Sequence, residues 1–212
     1  CESAIVTVDA RDGAQIETIK LWRRLNERNK PRAVFINKMD RERAAFSSAF
    51  DHLKEQFHAT FVPVTIPMGD AENFKGVINL IEKQAYFSTL NGKETVGPIP
   101  AEYNDLVEEY TVLLVEAAAE GADDLMEKYF DAGTLEVDDI RRGLREGFKE
   151  NRLVPAFCGS TAQGSGITSL LTFIRNNFPS PAGCRDYIIR ENVESEIDID
   201  ENGAPAAYVF KT

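Results

Sequence analysis

The sequence predicts an α/β fold: a parallel sheet covered on both faces, with an acidic α+β block set into it. Two observations carry this. Between residues 4 and 66, short unbroken apolar runs alternate with longer stretches of helical period. That alternation is the pattern of parallel strands joined by crossover helices. The rhythm then stops over residues 67–150 and resumes at 152–178.

Each element follows from its own pattern. "AIVTVDA" (4–10) is continuously apolar up to Asp9, as a strand buried on both faces must be. In residues 13–29, Ile16, Ile19, Leu21, Trp22 and Leu25 recur near a helical period, and Pro31 ends the helix. "RAVFIN" (32–37) is a second buried strand. Residues 42–57 predict a helix with Phe46, Phe50, Leu53 and Phe57 on one face, and "TFVPVTI" (60–66) a third strand. Residues 67–76 read as a loop with two glycines. The "STL-NG-KET" stretch predicts a hairpin, because Asn91-Gly92 suits a type I′ turn. Residues 101–120 form a strong amphipathic pattern, with two shorter helices in "DDLMEKYFD" and "VDDIRRGLREGFKEN". "RLVPAFCG" (152–159) is a strand and 166–178 a helix. "PSPAG" (179–183) is a linker by composition, and the residues after it are β-like.

The 212 residues suffice for one medium domain or two small ones. No apolar run reaches the roughly 18 residues that a membrane span needs. The first residues have neither the basic nor the apolar region of a signal peptide and no initiator Met, so the expectation is a piece of a longer protein. Cys1, Cys158 and Cys184 are odd in number and widely spaced, which predicts reduced thiols. His52 and His58 lack partners at a metal-ligand spacing, so no zinc site is expected. The net charge is −11, and residues 101–150 carry nearly all of it, with 15 Asp/Glu against 5 Lys/Arg. That excess argues against nonspecific RNA binding by this segment, since phosphate contact needs clustered cations. Residues 20–43 are basic, with nine Lys/Arg against three Asp/Glu. Both biases fit solvated helix surfaces.

The chemistry concentrates in Asn37-Lys38-Met39-Asp40, which follows a strand and precedes a helix. Open parallel sheets bind ligands at that edge. A carboxylate accepts through two oxygens, so Asp40 suits the two donors on guanine's ring edge and mismatches adenine. Asn37 can bond the surrounding loops or the base, and the Lys38 stem can lie along the base's flat face. A polar strand-end turn fits the same four residues. A second loop, "CGSTAQG" (158–164), also follows a strand. An N–H near Ser160 or Thr161 can donate to guanine O6; an ordinary turn made tight by Gly164 and Gly166 is the plainer reading. Trp22 can stack on RNA or anchor the core, and Cys158 can be a redox thiol or a buried small residue. The core readings are favoured for both.

At this point "AIVTVDARDGAQIET", "PRAVFINKMDR", "IPMGDAENFKGVINLI", "LMEKYF" and "CGSTAQGSGITSLLTFI…FPSP" resemble, in order and spacing, the translational GTPases, and most of all elongation factor G and its paralogues. The resemblance implies the C-terminal half of a P-loop GTPase-type sheet. It implies a partial GTPase domain at 1–66, an inserted α+β subdomain at 67–150, the last strand and helix of the GTPase domain at 151–180, and the truncated start of a β-barrel domain at 181–212. By position, Asn37, Lys38 and Asp40 match the guanine-specificity motif, and Ser160 and Thr161 the second base loop. The family's usual residue at Thr161 is Ala, a departure that a backbone contact tolerates. The resemblance further implies GTP or GDP with Mg²⁺, the ribosome as partner, its stalk protein docking on the insertion, and a cytoplasmic location. The G-x-x-x-x-G-K-[ST] loop does not occur in the sequence; in the family it and the Asp-x-x-Gly metal loop lie before residue 1. The expectation is therefore a GTPase parent and an inactive isolated chain with no catalytic residue of its own. Ribosomal-protection and release-factor GTPases, or a non-catalytic interaction module, are the alternatives.

Overall fold

The computed structural model describes residues 1–89, 92–181, 185–190, 193–200 and 202–203. Residues 3–178 form one compact unit; residues 1–2 and 179–212 form another. In chain order the first unit contains β1 (Ala4–Asp9), α1 (Ile16–Glu27), β2 (Arg32–Asn37), α2 (Phe46–Phe57), β3 (Thr60–Pro63), β4 (Thr65–Met68), β5 (Gly76–Asn79), β6 (Gln84–Ser88) and β7 (Glu94–Gly97). There follow α3 (Asn104–Ala119), α4 (Asp123–Ala132), α5 (Val137–Lys149), β8 (Leu153–Cys158) and α6 (Ile167–Asn177). In the second unit β9 (Arg185–Arg190) and β10 (Val193–Asp198) pair antiparallel, with Val193 opposite Arg190.

Two sheets make the first unit. One is parallel in the order β1-β2-β8-β3; the other is antiparallel in the order β4-β5-β6-β7. This is the mixed α/β architecture that the sequence predicts. Strands β2 and β8 lie inside the parallel sheet, and all of β8 is buried. Their unbroken apolar runs follow from that position, since helices cover both faces. β1 is an edge strand, and its residues alternate more between buried and exposed.

The core is built around two aromatic groups. Trp22 of α1 stacks on Phe57 and Phe61, and Phe50 and Phe46 of α2 meet Tyr110 of α3. Phe148 of α5, Phe157 of β8, Phe173 of α6 and Phe178 form the other. Trp22 is buried, so its core reading holds. Its ring also carries the buried Arg32 guanidinium, 4.7 Å from the centroid.

Three expectations need correction. The run 60–66 is not one strand. β3 pairs parallel with β8, and β4 pairs antiparallel with β5. Val64 joins the two sheets: its N–H donates to the Ala156 carbonyl at 2.8 Å, and its carbonyl accepts from Leu80 at 3.0 Å. Pro63 has no N–H to give and sits on an edge strand, where that costs nothing. Second, α2 starts at Phe46 rather than residue 42, because two turns intervene: Arg41 N–H bonds Lys38, and Ala44 N–H bonds Arg41. Third, α1 buries only Trp22 and Leu25 from its apolar set, while Ile16 is 71% exposed and Leu21 43%. The helix follows an edge strand and has fewer neighbours to cover it.

Strands β6 and β7 pair antiparallel as the hairpin reading requires; Asn91 of its turn lies outside the described residues, as do Cys184 and the stretch 204–212. Among the described residues no helix is long and apolar enough to cross a membrane.

Candidate functional site

Parallel pairing decides which loops meet. Ile36 of β2 lies opposite Cys158 of β8, so the segments after both strands emerge side by side at the carboxyl edge of the sheet. Backbone bonds then lace them together. Gly159 N–H donates to the Ile36 carbonyl at 3.0 Å, and Met39 N–H donates to the Gly159 carbonyl at 3.1 Å.

Asn37 closes the junction with its side chain. Its Oδ1 accepts from the Lys38 N–H at 2.8 Å and from the Thr161 N–H at 3.0 Å. Its Nδ2 donates to Thr161 Oγ1 at 3.1 Å. The hydroxyl that sets Thr161 apart from the family's usual Ala is thus accommodated by a bond. It takes one of the two N–H groups on the Asn37 amide and leaves the other without a partner among the described residues.

Lys38 has a positive φ of 67°, and its Nζ reaches Asp9 Oδ2 at 2.7 Å. Asp9 ends β1, in register with Asn37. Burial acts to raise the Asp9 pKa. Hydrogen bonds from Lys38 and from the Arg11 N–H, with the Lys38 charge, outweigh it and hold the carboxyl below its ordinary value. A cavity of about 320 Å³ opens beside this pair, lined by Thr7, Asp9, Arg11, Asp12, Asn37 and Lys38 among others. Its mixed charges suit a polar ligand.

The remaining site residues are placed differently. Asp40 is partly exposed, and its carboxylate has no partner among the described residues. Ser160 is buried and holds the loop's own shape: its N–H donates to the Ser165 carbonyl at 3.1 Å, and its Oγ accepts from Gln163 at 3.2 Å. Its N–H is therefore spent. The Thr161 N–H is engaged by Asn37, and Ala162 N–H has no partner among the described residues. Gly166 closes the loop with φ of 80°, and a Cβ there would lie 2.2 Å from the Cys158 carbonyl oxygen. Only glycine fits. Cys158 is fully buried beside Thr65, and burial pushes its thiol up to about 12, so it is a packed core group.

The residues that sequence reading passed over are Asp9 and Arg11. The sequence shows Asp9 as the end of an apolar run, and only the pairing of β1 with β2 sets it beside Asn37.

The elongation factor Tu GTP binding domain model matches residues 1–180. This chain belongs to that family. Within the family, this GTP-binding domain chain is similar to an elongation factor G-like protein of Thermotoga maritima, at 35% identity over 213 residues. The match covers 100% of this chain and 30% of that protein, so the chain spans less than a third of that relative. A crystal structure of a Thermus thermophilus protein superposes with a TM-score of 0.77 at 24% identity, over 85% of this chain and 27% of that one. That likeness supports the fold.

Proposed function

We propose that this chain is the base-reading part of an elongation-factor-G-like translational GTPase, with Asn37, Lys38, Asp40, Ser160 and Thr161 as its guanine-reading residues. The observation that supports this best is an Asp40 carboxylate with no partner among the described residues, three positions after an Asn37 carboxamide that is stitched to the second loop. A fixed frame beside a free double acceptor suits the N1–H and N2 amine of guanine. Ser160 acts through the loop's shape, since its N–H is already used. A guanine O6 approaching the Thr161 N–H shares that donor with Asn37.

The whole protein, on this reading, binds and hydrolyses GTP to drive ribosomal translocation in the cytoplasm. Residues 1–66 and 151–180 belong to its nucleotide domain, 67–150 to an insertion, and 181–212 to the start of a β-barrel domain. The residues present do not fit the Mg²⁺–phosphate centre. The sequence has no G-x-x-x-x-G-K-[ST] motif to cradle phosphates and place a Mg²⁺-binding hydroxyl. Phosphoryl transfer depends on positioning around those groups, so this chain alone is proposed to be inactive. Helix α3 of the insertion exposes Glu108, Glu109 and Glu116, a surface suited to the ribosomal stalk protein.

Titration of fluorescent guanine and adenine nucleotides tests the base reading. Weak binding that favours guanine, without hydrolysis, is expected. Equal response to both bases overturns the site; micromolar binding with hydrolysis overturns the claim that the chain is inactive. Capture of the stalk protein, abolished by charge reversal at Glu108, Glu109 and Glu116, tests the docking surface, and capture that survives the reversal counts against it.

A further inference from the structure

The base loop is held at three places, and one of them comes from an unexpected direction. Its entry is fixed by Gly159 on Ile36, and its crest by Thr161 on Asn37. Its exit runs straight into α6. The N-cap of that helix is Gly166, which has no side chain to satisfy the first N–H groups. Glu94 of β7 supplies what is missing. Its Oε1 accepts from the Gly166 N–H at 2.7 Å and its Oε2 from the Thr168 N–H at 3.0 Å. These are charge-assisted bonds at the positive end of a helix dipole. The same hairpin touches the loop a second time. A Cβ on Gly164 would lie 2.5 Å from the Gly92 carbonyl oxygen, so the backbones are in direct contact.

We propose that Glu94 is a positioning residue of the base reader: its carboxylate clamps the exit of the 158–166 loop and so sets where the Thr161 N–H stands. The β6–β7 hairpin thereby couples the antiparallel sheet to base recognition. The role of Thr161 rests on the base-reading proposal above; the clamp itself does not.

The test uses the 212-residue chain, labelled with ¹⁵N, as wild type, Glu94→Ala and Glu94→Gln. Guanosine and adenosine are the probes, because without phosphates they report the base alone. In Glu94→Ala, amide exchange at Gly166 and Thr168 is expected to rise about tenfold or more. The Thr161 N–H resonance is expected to move, and the guanosine-over-adenosine preference to fall about threefold or more. Glu94→Gln keeps one acceptor oxygen and is expected to fall between the two. It also carries every readout if Glu94→Ala fails to fold. An unmoved Thr161 resonance and an unchanged base preference, with Gly166 exchange raised, reduce Glu94 to a helix cap and overturn the proposal. If the wild type distinguishes neither nucleoside, the base reading fails by itself. The Thr161 resonance in the variants then still decides whether Glu94 holds the loop.

Discussion

Asn37 and Thr161 stand 124 residues apart in sequence and are joined by two hydrogen bonds, one to the backbone and one to the hydroxyl. The contact ties the loop after β2 to the loop after β8. The carboxamide has two jobs here, acceptor for a main-chain N–H and donor to a side chain, and each can be removed separately.

Thr161→Ala removes only the hydroxyl acceptor. At this exposed position the expected loss is below about 1 kcal/mol. Asn37→Ala also strands the Thr161 and Lys38 N–H groups and is expected to cost about 1–3 kcal/mol. Urea unfolding of both variants checks the order. Equal costs would mean that the main-chain bond contributes nothing.

Asp40→Asn exchanges a double acceptor for one acceptor and one donor. Guanine then loses a partner, whereas xanthine, with a ring N–H beside a carbonyl, gains one. Competition between guanosine and xanthosine is expected to shift toward xanthosine by about tenfold or more. Unchanged preference removes Asp40 from the site.

The Lys38–Asp9 pair makes a prediction about pH. The folded-state pKa of Asp9 lies below its ordinary value of 3.8. Its contribution is therefore fully present above the unfolded value and is lost as pH falls through the folded one. Lys38 is 44% exposed, so water and salt screen the pair, and its worth is below about 1 kcal/mol. Carboxyl-detected NMR should give a midpoint under 3.8 that rises toward that value in Lys38→Met.

Helices α3 and α5 meet backbone to backbone. A Cβ on Gly143 would lie 2.0 Å from the Ala118 carbonyl oxygen. Gly143→Ala forces the helices apart and is expected to cost about 1–3 kcal/mol in spite of alanine's better helix propensity. Thermal unfolding measures it; a stabilised variant contradicts the contact.

Cys158 is buried, and burial raises its thiol to about 12, while Cys1 is exposed. A thiol reagent at pH near ~8, close to an ordinary thiol pKa, should modify Cys1 at once and Cys158 only after denaturation, read site by site in the mass spectrum. Fast native modification of Cys158 would show that β8 opens readily.

The strands and helices were legible because their patterns are local. An unbroken apolar run such as Val34-Phe35-Ile36 reports burial on both faces, and Phe46, Phe50 and Leu53 recur at a helical spacing. Asn37, Lys38 and Asp40 were legible as a cluster for the same reason: three of four consecutive residues carry the donors, acceptors and charge. The linear pattern was enough for most of the helices, for the strands of the parallel sheet and for the chemical vocabulary of the site. Everything that depends on partners distant in the chain waited for folding. Whether Thr60–Ile66 is one strand or two depends on β8 and β5, which supply different neighbours to its two halves. Asp9 became a site residue only when β1 was paired beside β2, and Glu94 only when the hairpin reached the start of α6. Hydrogen bonds act over about 3 Å of space, whatever the separation in sequence. A pattern along the chain reports which face is buried, and folding alone reports which groups touch.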